Sequence, residues 1–145
     1  MFLGEFQHTL DAKGRVSLPR KFRNELEGHR LVVVKGFEGC LHVYAVERYE
    51  EFVGRLMGRD DFDPKFRKVR RFFTSGAVDV EIDGAGRVML SSALRDFAGL
   101  SREVSVNGNG DRIEIWDAER FSAYNGDTTE HIEDAAKELA ELGLL

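Results

Sequence analysis

Residues 5–10 alternate, with Phe6, His8 and Leu10 on one side and Gln7 and Thr9 on the other. That period of two predicts a strand. Asp11 to Arg15 then carries turn chemistry, an Asp to accept backbone N–H groups and a Gly to take positive φ. Val16-Ser17-Leu18 resumes the strand, and Pro19 suits the first turn of a helix. Leu18, Phe22 and Leu26 keep helical spacing, and Gly28 supplies a stop. Leu31–Val34 is a β-branched run of buried-strand type. A Gly36-Phe37-Glu38-Gly39 turn leads to a returning strand over 41–44. Val46, Tyr49, Val53 and Leu56 or Met57 predict a helix, residues 58–63 a loop, and Pro64 a second helix with Phe66, Val69 and Phe73 on one side.

The same order then recurs. Asp83-Gly84-Ala85-Gly86-Arg87 repeats Asp11-Ala12-Lys13-Gly14-Arg15 at an offset of 72. At that offset Val16 and Leu18 fall on Val88 and Leu90, Phe22 on Leu94, and Arg23 on Arg95. Val32 and Val34 fall on Val104 and Val106, Leu41 and Val43 on Ile113 and Ile115, and Glu47-Arg48 on Glu119-Arg120. A register held this long marks a tandem duplication. Ser91 or Ser92 stands at the second helix start as a cap. Asn107 to Asp111 predicts a hairpin turn. Asn125-Gly126 predicts a break, after which Thr128 or Thr129 caps a last helix with Ile132, Ala135 or Ala136, Leu139 and Leu142 inward. The domain reading is a first repeat over 5–48, a helical linker over 49–76, a second repeat over 77–120 and a helical tail over 121–145.

Each half alone lies near the lower size limit for an independent core, so the halves are expected to pack together. Hydrophobic content of 42% and charged content of 32% describe a globular chain. Neither a signal peptide nor a membrane-length apolar run is visible, and the single cysteine, Cys40, fits a reducing cytosol. The net charge of −5 averages two unlike halves. Residues 1–72 hold 15 Lys+Arg and 11 Asp+Glu, net +4; residues 73–145 hold 6 and 15, net −9. That asymmetry predicts one basic working surface.

Asp11 and Arg15 lie close enough to pair. The pair can act as a clamp that closes a hairpin. It can equally hold a guanidinium ready for phosphate or the guanine edge, helped by Lys13, Arg20, Lys21 and Arg23. Enzyme chemistry lacks a constellation: no Ser or Cys has a nucleophile context, and Gly84-Ala85-Gly86 is no dinucleotide fingerprint. Cys40-x-His42 offers too few ligands for a metal.

Met1-Phe2-x-Gly4, Asp11-x-Lys13-Gly14-Arg15-Val16-x-Leu18-Pro19, Phe72-Phe73-Thr74-Ser75-Gly76-Ala77, the second Asp83-x-x-Gly86-Arg87, Glu114-Ile115-Trp116-Asp117 and Glu138 to Gly143 together resemble the MraZ family of bacterial regulators. The resemblance spans nearly the whole chain. It implies an α+β fold, a pseudo-twofold swapped-hairpin β-barrel of AbrB/SpoVT type with both halves in one chain and flanking helices. It implies a sequence-specific DNA-binding regulator, cytoplasmic and nucleoid-associated, at the promoter of its own division and cell-wall gene cluster. Its partners would be repeated elements in double-stranded DNA and further copies of the chain in a ring, with no membrane, cofactor, metal or small-molecule substrate. Lys13, Arg15, Arg20, Lys21 and Arg87 are then the expected DNA contacts, with Asp11, Gly14, Asp83 and Gly86 orienting the loops. Ala85, Ser92 and Ala93 replace Lys13, Arg20 and Lys21 in the second half, so Arg15 is expected to matter more than Arg87. The alternative is a ring-forming interaction scaffold without direct DNA binding.

Overall fold

In the computed structural model, which describes residues 1–58 and 61–145, the repeat is visible as two copies of one strand–turn–strand–helix–hairpin unit. The first comprises β1 (Glu5–Thr9), β2 (Arg15–Ser17), α1 (Arg20–Leu26), β3 (Leu31–Lys35) and β4 (Leu41–Ala45). The second comprises β5 (Val78–Val80), β6 (Arg87–Met89), α4 (Ser92–Ala98), β7 (Glu103–Asn109) and β8 (Arg112–Asp117). Helices α2 (Val46–Gly54) and α3 (Pro64–Thr74) connect them, and α5 (Ala118–Glu141) ends the chain. Arg59 and Asp60, within the loop expected over 58–63, lie outside the described residues.

The strands pair across the halves. A six-stranded antiparallel sheet runs β1-β7-β8-β4-β3-β5, and β2 pairs with β6 in a separate ribbon. Each half lends its first strand to the other half's hairpin. One sheet face, with Leu31, Val33, Leu41, Val43, Val104, Val106, Ile113 and Ile115, meets the ribbon's Val16 and Val88 and the inner faces of α1 and α4 in one core. Phe22 of α1 is fully buried there, in edge-to-face contact with Phe2 at 5.4 Å and Phe6 at 5.2 Å. A smaller cluster of Val34, Tyr44 and Phe73, with Tyr49 and Phe52, seats α2 and α3 on the other face.

The local signals were sound at most helix starts. Asp63 Oδ1 caps α3 by accepting from the Lys65 N–H at 2.9 Å, with Pro64 in the first turn. Ser91, not Ser92, caps α4, its Oγ accepting from the Leu94 N–H. The helix expected over 46–57 ends at Gly54, although Leu56 still packs on the aromatic cluster.

Three expectations change. The offset of 72 does not hold through every strand. Leu31 and Val33 face the core in β3, and their counterparts in β7 are Val104 and Val106, one residue further along. The β3–β4 hairpin pairs Lys35 with Leu41, whereas β7–β8 pairs Asn109 with Arg112 across a tighter Gly110-Asp111 turn. The hairpin loops differ in length, which restores the offset by β8. A one-residue slip exchanges the faces of a strand, but four consecutive valine and leucine residues hide it in sequence: Leu31 to Val34 are all buried.

The Asn107-to-Asp111 signal is also narrower than its composition suggests. Asn107 to Asn109 stay in β7, and only Gly110 and Asp111 turn. The third change is α5, which runs unbroken through Asn125-Gly126. One mid-helix glycine costs only about 1 kcal/mol relative to Ala, less than continuous helical bonding on both sides supplies. Ile132, Leu139 and Leu142, expected inward, are exposed, and no core cluster among the described residues includes them. A Cβ at Gly126 would meet open space. Gly126→Ala should therefore stabilise α5 and slow amide exchange around it roughly fivefold. Unchanged exchange would mean that the chain breaks at Asn125-Gly126 after all.

Candidate nucleic-acid interface

Both Asp-x-x-Gly-Arg turns are built by the same bonds. Asp11 Oδ1 accepts from the backbone N–H of Lys13 and of Arg15, each at 2.9 Å, and Oδ2 accepts from Arg15 Nε at 2.7 Å. Asp83 Oδ1 accepts from Ala85 and Arg87 at 2.9 Å, and Oδ2 from Arg87 Nε at 3.0 Å. Gly14 and Gly86 return their N–H groups to the Asp carbonyls and take φ 84° and 81°, a region that other residues rarely adopt. The Arg15 backbone N–H, followed by its side chain and the Lys13 N–H, holds the Asp11 carboxyl below the usual carboxylate range. The Arg87 and Ala85 N–H groups and the Arg87 side chain do the same for Asp83. Both carboxylates are therefore charged at neutral pH. The clamp and the preset arginine are thus one structure: the bonds that close the turn also aim the guanidinium.

The ribbon places the two turns together. Val16 faces Val88 in the core, while Arg15 lies opposite Met89 and Ser17 opposite Arg87. Side chains alternate along a strand, so Arg15, Ser17, Arg87 and Met89 share the outward face. Leu18 N–H donates to Gly86 O at 3.0 Å and Leu90 N–H to Gly14 O at 2.8 Å, a crosswise pair. Arg87 Nη1 lies 3.9 Å from Asp11 Oδ2, so one carboxylate is near both arginines. Lys13, within the first turn, and Arg20, the first residue of α1, are exposed. Lys21 is exposed too, and its ammonium approaches the Leu3 carbonyl at 3.4 Å.

Arg23 and Arg95 are the residues whose role the sequence hid. A Cβ on Gly14 would lie 2.9 Å from the Arg95 guanidinium carbon, and one on Gly86 would lie 2.2 Å from Arg23 Nη1. Each turn therefore rests on the arginine of the other half. Arg95 Nε donates to Leu90 O at 3.1 Å, which seats it beneath the ribbon. The available signal was the retention of arginine at both positions while Arg20 and Lys21 changed to Ser92 and Ala93.

No described helix is long and apolar enough to cross a membrane.

The model of the MraZ protein family, described as antitoxin-like, matches residues 1–72 and again 73–142. The transcriptional regulator MraZ of Acetivibrio thermocellus is 39% identical over 144 residues, covering 99% of this chain and 100% of that protein. Those of Syntrophomonas wolfei and Lactobacillus gasseri are each 38% identical over the same share of both chains. The twofold family match falls on the two halves that carry the paired turns, and the chain belongs to the MraZ family.

Proposed function

We propose that the chain is a transcriptional regulator that binds double-stranded DNA through the outward face of the β2–β6 ribbon. The carrying observation is the pair of Asp-anchored arginines, Arg15 and Arg87, side by side on that face. An arginine already aligned loses little freedom on forming a bidentate bond to guanine. Lys13, Arg20 and Lys21 add phosphate contacts, which position the protein without reading sequence. Asp11, Gly14, Asp83 and Gly86 hold the loops. The exchange of first strands between hairpins supports the swapped-hairpin, pseudo-twofold reading of the barrel.

The proposed target is the promoter of the chain's own division and cell-wall gene cluster, bound at short repeated elements by a ring of copies in the cytoplasm, at the nucleoid. Linked weak contacts on such a ring gain roughly 10²–10⁴ in affinity over a single contact. The exposed apolar positions Ile132 and Leu139 of α5, with Leu142 just after it, support assembly with further copies. They are also the observation that favours the second reading, a scaffold with no DNA role.

A salt series on duplex DNA from upstream of the gene separates the two. With Lys13, Arg15, Arg20, Lys21 and Arg87 engaged, log affinity against log salt should fall with a slope of about −3 to −5 per protomer, at roughly −0.9 per neutralised phosphate. Assembly without any DNA complex at low salt would leave the scaffold.

A further inference from the structure

The sheet face opposite the main core carries a polar group that the ribbon does not use. Cys40 and His42 come from the first hairpin, and Glu114 comes from β8, which pairs with β4 so that His42 faces Glu114 directly. One ligand atom from each of Cys40, His42 and Glu114 lies within 4.8 Å of the others. Cys40 is fully buried and His42 is 2% exposed. His42 Nε2 is 3.5 Å from Glu114 Oε2, and His42 Nδ1 is buried without a hydrogen-bond partner.

From this convergence we infer that Cys40, His42 and Glu114 form a site for one thiophilic divalent cation of the zinc class, with a water or a fourth donor completing a tetrahedron. The donor set is a thiolate, an imidazole and a carboxylate, the mixture that zinc takes. Ligand atoms about 2.0–2.3 Å from one tetrahedral ion lie roughly 3.3–3.8 Å from each other, so the group must draw in by about an ångström to close on a cation.

The surroundings fit. Burial holds His42 below the ordinary imidazole range, with Arg112 acting the same way, and its unpartnered Nδ1 leaves a ring lone pair for a metal. Burial and the nearby Glu114 and Glu38 push the Cys40 thiol well up. Without a metal it is therefore an inert thiol, donating to Phe37 O at 3.4 Å. Cation binding forms the metal–sulfur bond and breaks the S–H bond, and one proton leaves to solvent. Trp116 Nε1 donates to Glu114 Oε1 at 2.9 Å and Asn109 Nδ2 to Oε2 at 3.0 Å, outer bonds that orient the carboxylate. Arg112 Nε, 3.7 Å from Glu114 Oε2, opposes a cation, and Glu38, Asp111, Glu114 and the thiolate outweigh it in charge.

Gly36 makes the room. A Cβ there would lie 2.3 Å from His42 Nε2. The turn that follows holds Glu38 at φ 58°, and among the described residues no other non-glycine has positive φ. The strained turn sets Cys40 just before β4, two residues ahead of His42 and so on the same side of the strand.

Reduced, chelator-stripped full-length protein titrated with Co(II) tests the site. The expected result is one Co(II) per chain with a near-ultraviolet thiolate-to-cobalt charge-transfer band, displaced by Zn(II), and a zinc-dependent rise in Tm. Cys40→Ser should abolish the band, and His42→Leu should weaken binding at least about tenfold. If a variant does not fold, X-ray absorption of the zinc-loaded wild type decides, with one sulfur ligand expected. A wild type with no band and no zinc-dependent Tm change overturns the inference. So does Co(II) affinity unchanged in Cys40→Ser, which would place the ion at surface histidines such as His29 beside Glu47.

Discussion

Phe22→Ala should lower the unfolding free energy by about 3–5 kcal/mol, the loss expected on emptying a fully buried phenylalanine site. Phe22 is fully buried and lies where three separate pieces of sequence meet: the N-terminal segment through Phe2, β1 through Phe6, and α1 itself. Removing the ring leaves a cavity and also breaks two edge-to-face contacts, each worth roughly 0.5–1.5 kcal/mol beyond area burial. Phe2 is held additionally by its N–H donating to Gly110 O at 2.7 Å, so the segment cannot readily collapse into the space. Urea unfolding should show a lower midpoint at unchanged slope, with Tm down by about 6–20 °C. A loss below about 1 kcal/mol would show that the N-terminal segment does not seal this core.

Arg15→Ala should cut DNA affinity by about 1–3 kcal/mol per site, roughly 5- to 150-fold, while Tm stays nearly unchanged. The side chain stands on the outward ribbon face, and its partner Asp11 remains tied to two backbone N–H groups without it. Arg87→Ala should cost less affinity. Its turn offers Ala85 where the first offers Lys13, and its helix starts with Ser92 and Ala93 where the first has Arg20 and Lys21. Operator binding and oligomer size of both variants, measured side by side, check the order. Loss of binding in Arg87→Ala alone would reverse the assignment of the two turns. Equal losses would mean that the shared face, with Arg87 also near Asp11, acts as one unit.

Much of the candidate site's geometry was legible because its bonds are short in sequence. Every hydrogen bond that the Asp11 side chain accepts closes within five consecutive residues, so the motif carries its own geometry. The helix starts at Pro64 and at Ser91 were readable for the same reason. Signals weakened where composition was uniform. The Leu31–Val34 run concealed which pair faces the core, and Asn107 to Asp111 offered more turn formers than the turn uses. Asn125-Gly126 misled because a local preference of about 1 kcal/mol was set against a helix long enough to absorb it.

The amino-acid sequence by itself determined the duplication, the two arginine turns, the apolar faces of α1 and α4, and the charge imbalance between halves. These follow from periodicity, from glycine's freedom at positive φ and from side chains within a few residues of their partners. Tertiary structure decided the rest. In a duplicated chain β1 has two similar hairpins to join, its own and the other half's, and local preference cannot choose between them. The fold pairs β1 with β7 and β5 with β3. From that single choice follow the ribbon that unites Arg15 with Arg87 and the exchange of Arg23 and Arg95 beneath the opposite turns. The central β4–β8 pairing likewise brings Glu114 to Cys40 and His42, residues that chain separation kept apart on paper and burial of two shared sheet faces brought together.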